Sequence, residues 1–238
     1  MNANFLMVAY DLRGHGKTTG PTTCILSIDN LYSDASKLIK SYQTTDKPIF
    51  IVGHSLGGAI AVKLLSRGLV ENVFGIIVID IVEETAISSL RHMPEVLETR
   101  PKTFPNTEMA VKWALRSKVC RSRETAEVSF LSQYNESEDG SLSMIVDLMS
   151  SQPYWHDWFM GMSEEFVSLP ISRLIVLAET DYLDKTLLIG QMQGKFQLEI
   201  IRNTGHAIQE DQPKQLSALI AIFIERNMSC LLYTSRCV

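Results

Sequence analysis

The stretch PIFIVGHSLGGAIAV, from Pro48 to Val62, constrains the fold more than any other part of the chain. Ile49 to Gly53 is an apolar run without polar alternation, the pattern of a strand covered on both faces. GHSLG breaks that run, and AIAVKLLSRGL behind it has helical character. The small residues Gly57, Gly58, Ala59 and Ala61 let such a helix pack close to the strand. A strand that turns directly into a helix belongs to a parallel sheet sheathed by helices.

The rest of the chain repeats this rhythm. NFLMVAY, Asn4 to Tyr10, reads as a buried strand running out into the glycine-containing loop DLRGHGKTTG. Ile28, Leu31, Tyr32, Ala35, Leu38, Ile39 and Tyr42 recur at steps of three and four, which predicts a helix with Asp34, Lys37 and Lys40 turned to water. VFGIIVID (Val73 to Asp80), SRLIVLAETD (Ser172 to Asp181) and KFQLEII read as further strands, KTLLIGQM as a helix, and Pro213 to Arg226 as a final amphipathic helix. The fold class is therefore α/β, a mostly parallel sheet flanked by helices.

Between Glu83 and Leu169 the alternation stops. NTEMAVKWALRSK is helix-like and YNESEDGSLS reads as a polar loop, so this segment is taken as a helical lid inserted over the sheet. The expected organisation is core over 1–82, lid over 83–169, core again over 170–226, and a tail, 227–238, with no assignable element.

Composition narrows the function classes. The 238 residues are 45% hydrophobic and 21% charged, enough for a sizeable core. The formal charge is −5, with Lys and Arg scattered, which argues against nucleic acid and anionic membrane surfaces as partners. No apolar run reaches the roughly 18 residues that span a bilayer, and MNANFLMVAYDLRG lacks the basic region and cleavage site of a signal peptide. The location expected is intracellular: cytoplasmic, with the nucleus open. Cys24, Cys120, Cys230 and Cys237 form no CxxC pair and read as free thiols.

Gly53-His54-Ser55-Leu56-Gly57 fits G-x-S-x-G, a sharp strand-to-helix turn that exposes a serine hydroxyl in a strained backbone conformation. The glycines are expected to remove Cβ atoms that would collide there. The first N–H groups of the following helix lack intrahelical partners, and Leu56 N–H is the expected donor to an oxyanion. The alternative is a glycine-rich turn in an ordinary α/β sheet.

A serine needs a neutral imidazole to take its proton, and a carboxylate to orient that ring. Of the five histidines, His54 is expected to point away from the face Ser55 presents, His15 lies in RGHG, and His92 and His156 fall in the insertion. His206, in RNTGHAIQED after the last strand, stands where the order Ser, Asp, His puts a base. For the acid, Asp80 and Asp181 both end strands, and placement does not separate them. Asp184 is read as a helix cap.

These residues resemble the protein phosphatase methylesterases, α/β-hydrolases that remove the methyl ester from the C-terminal leucine of the protein phosphatase 2A catalytic subunit. The similarity covers most of the chain: GHSLGGAIAV, VIDIVEETA, RPKTF, YWHDWFMGMS, LDKTLLIGQMQGKFQ and GHAIQEDQP. The resemblance implies Ser55 as nucleophile, Asp80 as acid and His206 as base. It implies that Trp155 and Trp158 lie by the ester pocket, with packing inside the lid as the alternative. It also implies the phosphatase catalytic subunit as partner and no metal or organic cofactor.

Family members carry, ahead of the position of Asn4, a strand ending in a His-Gly-Gly-Gly type loop with the second oxyanion donor. Its absence from this sequence leads to the expectation that the sheet lacks an interior strand and that the 238-residue chain is impaired. One oxyanion donor is worth about 2.7 to 4 kcal/mol. Two rival readings are a small-molecule carboxylesterase or lipase-like hydrolase, and a non-catalytic phosphatase-binding fragment.

Overall fold

The computed structural model describes residues 6–18, 25–43, 47–178 and 183–234, with side chains up to residue 229. They divide into two compact units, one drawn from the ranges 1–7, 28–88 and 156–238, the other from 8–27 and 89–155.

Among the described residues seven strands occur in chain order: β1 (Ile49–His54), β2 (Val73–Ile79), β3 (Thr103–Phe104), β4 (Tyr134–Glu136), β5 (Leu142–Met144), β6 (Ser172–Ala178) and β7 (Gln197–Ile201). The first unit holds a sheet in the order β1-β2-β6-β7, parallel throughout. Registers such as Gly53 with Val78 and Val78 with Ile175 bring the carboxyl ends of the three strands level. Helix α1 (Ile28–Tyr42) has the predicted bounds, and α2 (Leu56–Ser66) follows β1 after a single residue.

The unbroken apolar runs of β2 and β6 occupy the middle of this sheet. Ile76, Ile77, Leu174 and Val176 have no more than 1% of their surface exposed, each burial favouring the fold by about 1.5 to 3 kcal/mol. Ile77, Ile79, Leu174, Val176 and Ile201 form one cluster with Ile208, Leu216 and Phe223, so the last helix seals one face of the sheet. That helix runs from Pro213 to Thr234, eight residues beyond the predicted end. Residues 227–234 therefore continue a helix; they contain no Gly or Pro to stop it.

Leu6 to Tyr10 differ from the reading of Asn4–Tyr10 as a buried strand: they carry no regular structure, with Leu6 80% and Met7 91% exposed. Residues 4 and 5 lie outside the described residues. An extended apolar run holds as a strand only where a neighbour accepts its ladder, and none of the recorded pairings involves this one. Among the described residues β1 is an edge strand, and Val52 is 45% exposed.

Buried polar groups tie the later chain to α2. Lys63, 4% exposed, donates to Glu165 Oε1 at 2.9 Å and to the carbonyl of Met160. The helix Met162–Ser168 starts at Gly161, whose φ of 76° suits glycine and which has no side chain to cap with. Glu83, opening helix α3 (Glu83–Ser89), supplies the cap: its carboxylate accepts from Gly161 N at 2.7 Å and Ser163 N at 2.8 Å.

The second unit has its own core of Phe104, Ala110, Val111, Ala114, Phe130, Tyr134 and Leu142. NTEMAVKWALRSK supplies the helix Thr107–Arg116, with Asn106 as cap. YNESEDGSLS is not a plain loop. It forms the antiparallel pair β4 and β5, turning at Gly140 with φ 80°, and β3 pairs on the other side of β5. Its apolar ends, Tyr134 and Leu142, are buried while its polar middle faces water, so average polarity hides a short hairpin.

Candidate active site

Ser55 sits between β1 and α2 with φ 50° and ψ −120°, a conformation that L-residues rarely adopt. Such backbones cost about 1 to 3 kcal/mol and persist only where their surroundings dictate them. The surroundings are visible: Ser55 N–H donates to Ile79 O of β2 at 2.9 Å, and Ser55 O accepts from Gly58 and Ala59 as α2 begins. The Ser55 side chain makes no capping bond to that helix, which leaves its hydroxyl uncommitted there.

The glycines are not equivalent. A Cβ on Gly53 would lie 2.3 Å from Gly57 O, and one on Gly58 would press on Val78 and Ile81 at 3.0 and 3.1 Å. A Cβ on Gly57 would meet nothing within 4 Å. The sequence reading that both motif glycines relieve a collision thus holds for Gly53 alone; the second crowded glycine is Gly58, outside the motif.

Asp80 lies one residue past β2, 4% exposed, with φ 51°. Its N–H donates to Val176 O at 2.8 Å, and its Oδ1 accepts from Ala178 N–H at 2.7 Å, so β6 holds both main chain and side chain. Oδ2 faces the loop after β7, where His206 Nδ1 donates to it at 2.8 Å. A carboxylate oxygen only accepts, so the neutral His206 ring carries its hydrogen on Nδ1 and its lone pair on Nε2. Asp181 lies outside the described residues.

Three side-chain contacts shape the loop that carries His206. Thr204 Oγ1 donates to Ile201 O at 2.9 Å, Gly205 N–H donates to Asp211 Oδ2 at 2.6 Å, and His54 Nε2 meets the carbonyl of His206 at 2.7 Å. The ring centroid of His54, the residue read as pointing away from the face Ser55 presents, lies 4.6 Å from that of His206. Burial, and next the charge His206 can carry, hold the proton affinity of His54 below the ordinary imidazole value. The sequence signal for this role was only its position beside Ser55.

Leu56 N–H opens α2, where the first N–H groups have no intrahelical carbonyl. Trp155 and Trp158 are 5% and 9% exposed, and the Trp155 indole N–H donates to Ser151 Oγ at 2.7 Å. His15 Nδ1 lies 3.0 Å from Arg13 O, and His156 is an exposed neighbour of Asp157. Asp184 caps the helix Lys185–Met192, accepting from Leu187 N–H at 2.9 Å as the sequence suggested. Among the described residues no three His, Cys, Asp or Glu side chains are grouped to hold a metal ion, and no helix is long and apolar enough to cross a membrane.

Comparison with known proteins bears on the family and the fold. The model of the alpha/beta hydrolase family matches residues 3–219. Protein phosphatase methylesterase 1 of Schizosaccharomyces pombe is 40% identical over 228 residues, which are 94% of this chain and 67% of that protein. The protein of the same name in Bos taurus is 35% identical, with 93% and 70% covered, and that of Yarrowia lipolytica 39% identical, with 93% and 54% covered. The chain thus spans between about half and 70% of the length of these relatives. Among solved structures, E-2-(acetamidomethylene)succinate hydrolase aligns with a TM-score of 0.73 at 18% identity, covering 90% of this chain and 80% of that one. An esterase of M. tuberculosis aligns with a TM-score of 0.71 at 16% identity, covering 90% and 75%, and both likenesses speak for the fold alone. With a parallel sheet, a serine in a strained strand-to-helix turn and this degree of identity to named relatives, the chain belongs to the alpha/beta hydrolase family and, within it, to the protein phosphatase methylesterases.

Proposed function

We propose that this chain carries the serine-esterase chemistry that removes the methyl ester from the C-terminal leucine of a protein phosphatase 2A catalytic subunit, which is its partner. The observation that carries the reading is the bond of 2.8 Å from His206 Nδ1 to Asp80 Oδ2, with His54, the residue before Ser55, against the same histidine. The relatives' name, protein phosphatase methylesterase 1, supports the substrate.

Ser55 Oγ attacks the ester carbonyl carbon while its proton passes to Nε2 of His206. The carbonyl π electrons move to oxygen, and Leu56 N–H donates to that oxyanion. Collapse of the tetrahedral intermediate re-forms the carbonyl and breaks the bond to methoxide, which takes the proton from His206 and leaves as methanol. Water then attacks the acyl-serine with His206 again as base, releasing the free leucine carboxylate and restoring Ser55. Asp80 holds the required tautomer and stabilises the imidazolium at each step.

The test is methanol release from a phosphatase C-terminal peptide ending in leucine methyl ester, compared with hydrolysis of a simple aryl ester. Turnover of the peptide, lost in Ser55→Ala, is the expected result. Hydrolysis of the aryl ester without any of the peptide assigns a small-molecule esterase instead. Binding to the phosphatase that survives Ser55→Ala, with no labelling of the wild type by a fluorophosphonate, assigns a non-catalytic binder.

A further inference from the structure

His206 presents a problem of placement. Its side chain is 59% exposed, on a loop outside regular structure, yet a base must stand in one orientation beside the serine. Asp80 fixes the ring at Nδ1, and the bonds of Thr204 and Gly205 lie within the segment 201–211 itself. A restraint from outside this segment comes from β1, where His54 Nε2 lies 2.7 Å from the carbonyl of His206.

A carbonyl only accepts, so Nε2 of His54 carries the hydrogen and Nδ1 of the neutral ring is left with a lone pair. Gln209 Nε2, three residues beyond His206, lies 3.4 Å from that lone pair. The amide is held at a cost, because its Oε1 is buried without a hydrogen-bond partner. Turning the amide over would satisfy neither group while His54 stays neutral, since the oxygen would then face another lone pair. The two contacts together select the Nε2–H tautomer.

We propose that His54 is a positioning residue: its Nε2–H, held in that tautomer by Gln209, sets the height of the His206 loop relative to the turn that carries Ser55. His54 is bonded covalently to Ser55, so any shift of the nucleophile is passed to the base loop through one side chain. The inference rests on the reading of Ser55, Asp80 and His206 given above and adds a part to it.

The experiment uses the full chain and two variants, His54→Gln, whose amide N–H reaches near the place of Nε2, and His54→Leu, which has no donor. Fluorophosphonate labelling separates the maximal inactivation rate from reversible binding. Leaving the His206 carbonyl without its partner is expected to lower the maximal rate about 5- to 150-fold in His54→Leu with half-saturation unchanged, and His54→Gln to restore most of it. Nitrogen-15 histidine NMR needs no turnover: it should find neutral His54 as the Nε2–H tautomer, and a His206 Nδ1 proton that is sharp in the wild type and broadened in His54→Leu. An Nδ1–H tautomer at His54, or a His206 signal and labelling rate unaltered in His54→Leu, overturns the proposal. Equal loss in both variants also overturns it, since His54 would then matter for packing alone. Should His54→Leu not fold, the tautomer in the wild type and the behaviour of His54→Gln decide. Labelling that persists in Ser55→Ala, or is absent from the wild type, defeats the esterase reading instead, and the NMR outcome then judges His54 by itself.

Discussion

Replacing Asp80 by asparagine exchanges one carboxylate oxygen for an NH₂ group and separates the two tasks of this side chain. Asparagine tolerates the φ of 51° that Asp80 adopts, so the main chain has no reason to move. Keeping the Asn oxygen on Ala178 N–H, where Oδ1 now accepts at 2.7 Å, turns the NH₂ toward His206 Nδ1. Two donors cannot bond, so His206 must carry its hydrogen on Nε2 and loses the lone pair that the proposed mechanism uses to take the proton of Ser55. The flipped amide would serve His206 but leave Ala178 N–H against a donor in a site that is 4% exposed, at about 1 to 3 kcal/mol. That penalty alone removes about 5- to 150-fold of the reactive tautomer, and loss of the stabilising carboxylate brings the total to about ten-thousandfold. Asp80→Ala differs in kind, since it leaves Ala178 N–H unpaired in either tautomer and should lower the melting temperature by about 2 to 12 °C. The assay is fluorophosphonate labelling beside thermal melts of wild type, Asp80→Asn and Asp80→Ala. Labelling of Asp80→Asn at the wild-type rate would refute the argument, and so would a loss of stability in Asp80→Asn as large as in Asp80→Ala.

Gly53→Ala should abolish labelling and lower the melting temperature, because its Cβ would stand 2.3 Å from Gly57 O, whereas Gly57→Ala should leave the fold stable; melts of the two variants compare them. A second expectation concerns pH. The proton affinity of His54 is depressed in the fold, chiefly by burial and next by His206, with Asp80 pulling the other way and the Gln209 amide alongside. The unfolded chain then binds more protons than the folded one as pH falls from about 6.5 toward the lowered value, so His54 contributes stability above that window and loses it on acidification. Melting curves from pH 7.5 to 5 should show the wild type losing its advantage over His54→Gln, and parallel curves would contradict this.

Much of the fold was legible in the sequence because its central elements are governed by local pattern. Val73–Ile79 and Leu174–Ala178 are continuous apolar runs, and the stripe from Ile28 to Tyr42 predicted its helix to the residue. The two elements read wrongly fail for the opposite reason. Leu6–Tyr10 looks like a strand by composition, but a strand is a relation between two segments and no pairing is recorded for this run. YNESEDGSLS looks like a loop by composition, while alternation around Gly140 makes it a hairpin with both apolar ends buried.

At the candidate site the division is similar. Motif spacing and chain order by themselves determined that Ser55 would open a helix and that His206 would follow the last strand, because a strand-to-helix turn is encoded within a few neighbouring residues. Placement in the chain left two aspartates open, and family resemblance favoured Asp80. Only the tertiary structure showed which oxygen of Asp80 meets Nδ1 of His206, which one meets Ala178, and that His54 bonds across 152 positions to the loop of the base. Hydrogen bonds have a reach of about 3 Å and depend on direction, and residues so far apart in the chain acquire distance and direction only when the sheet has brought its strand ends together.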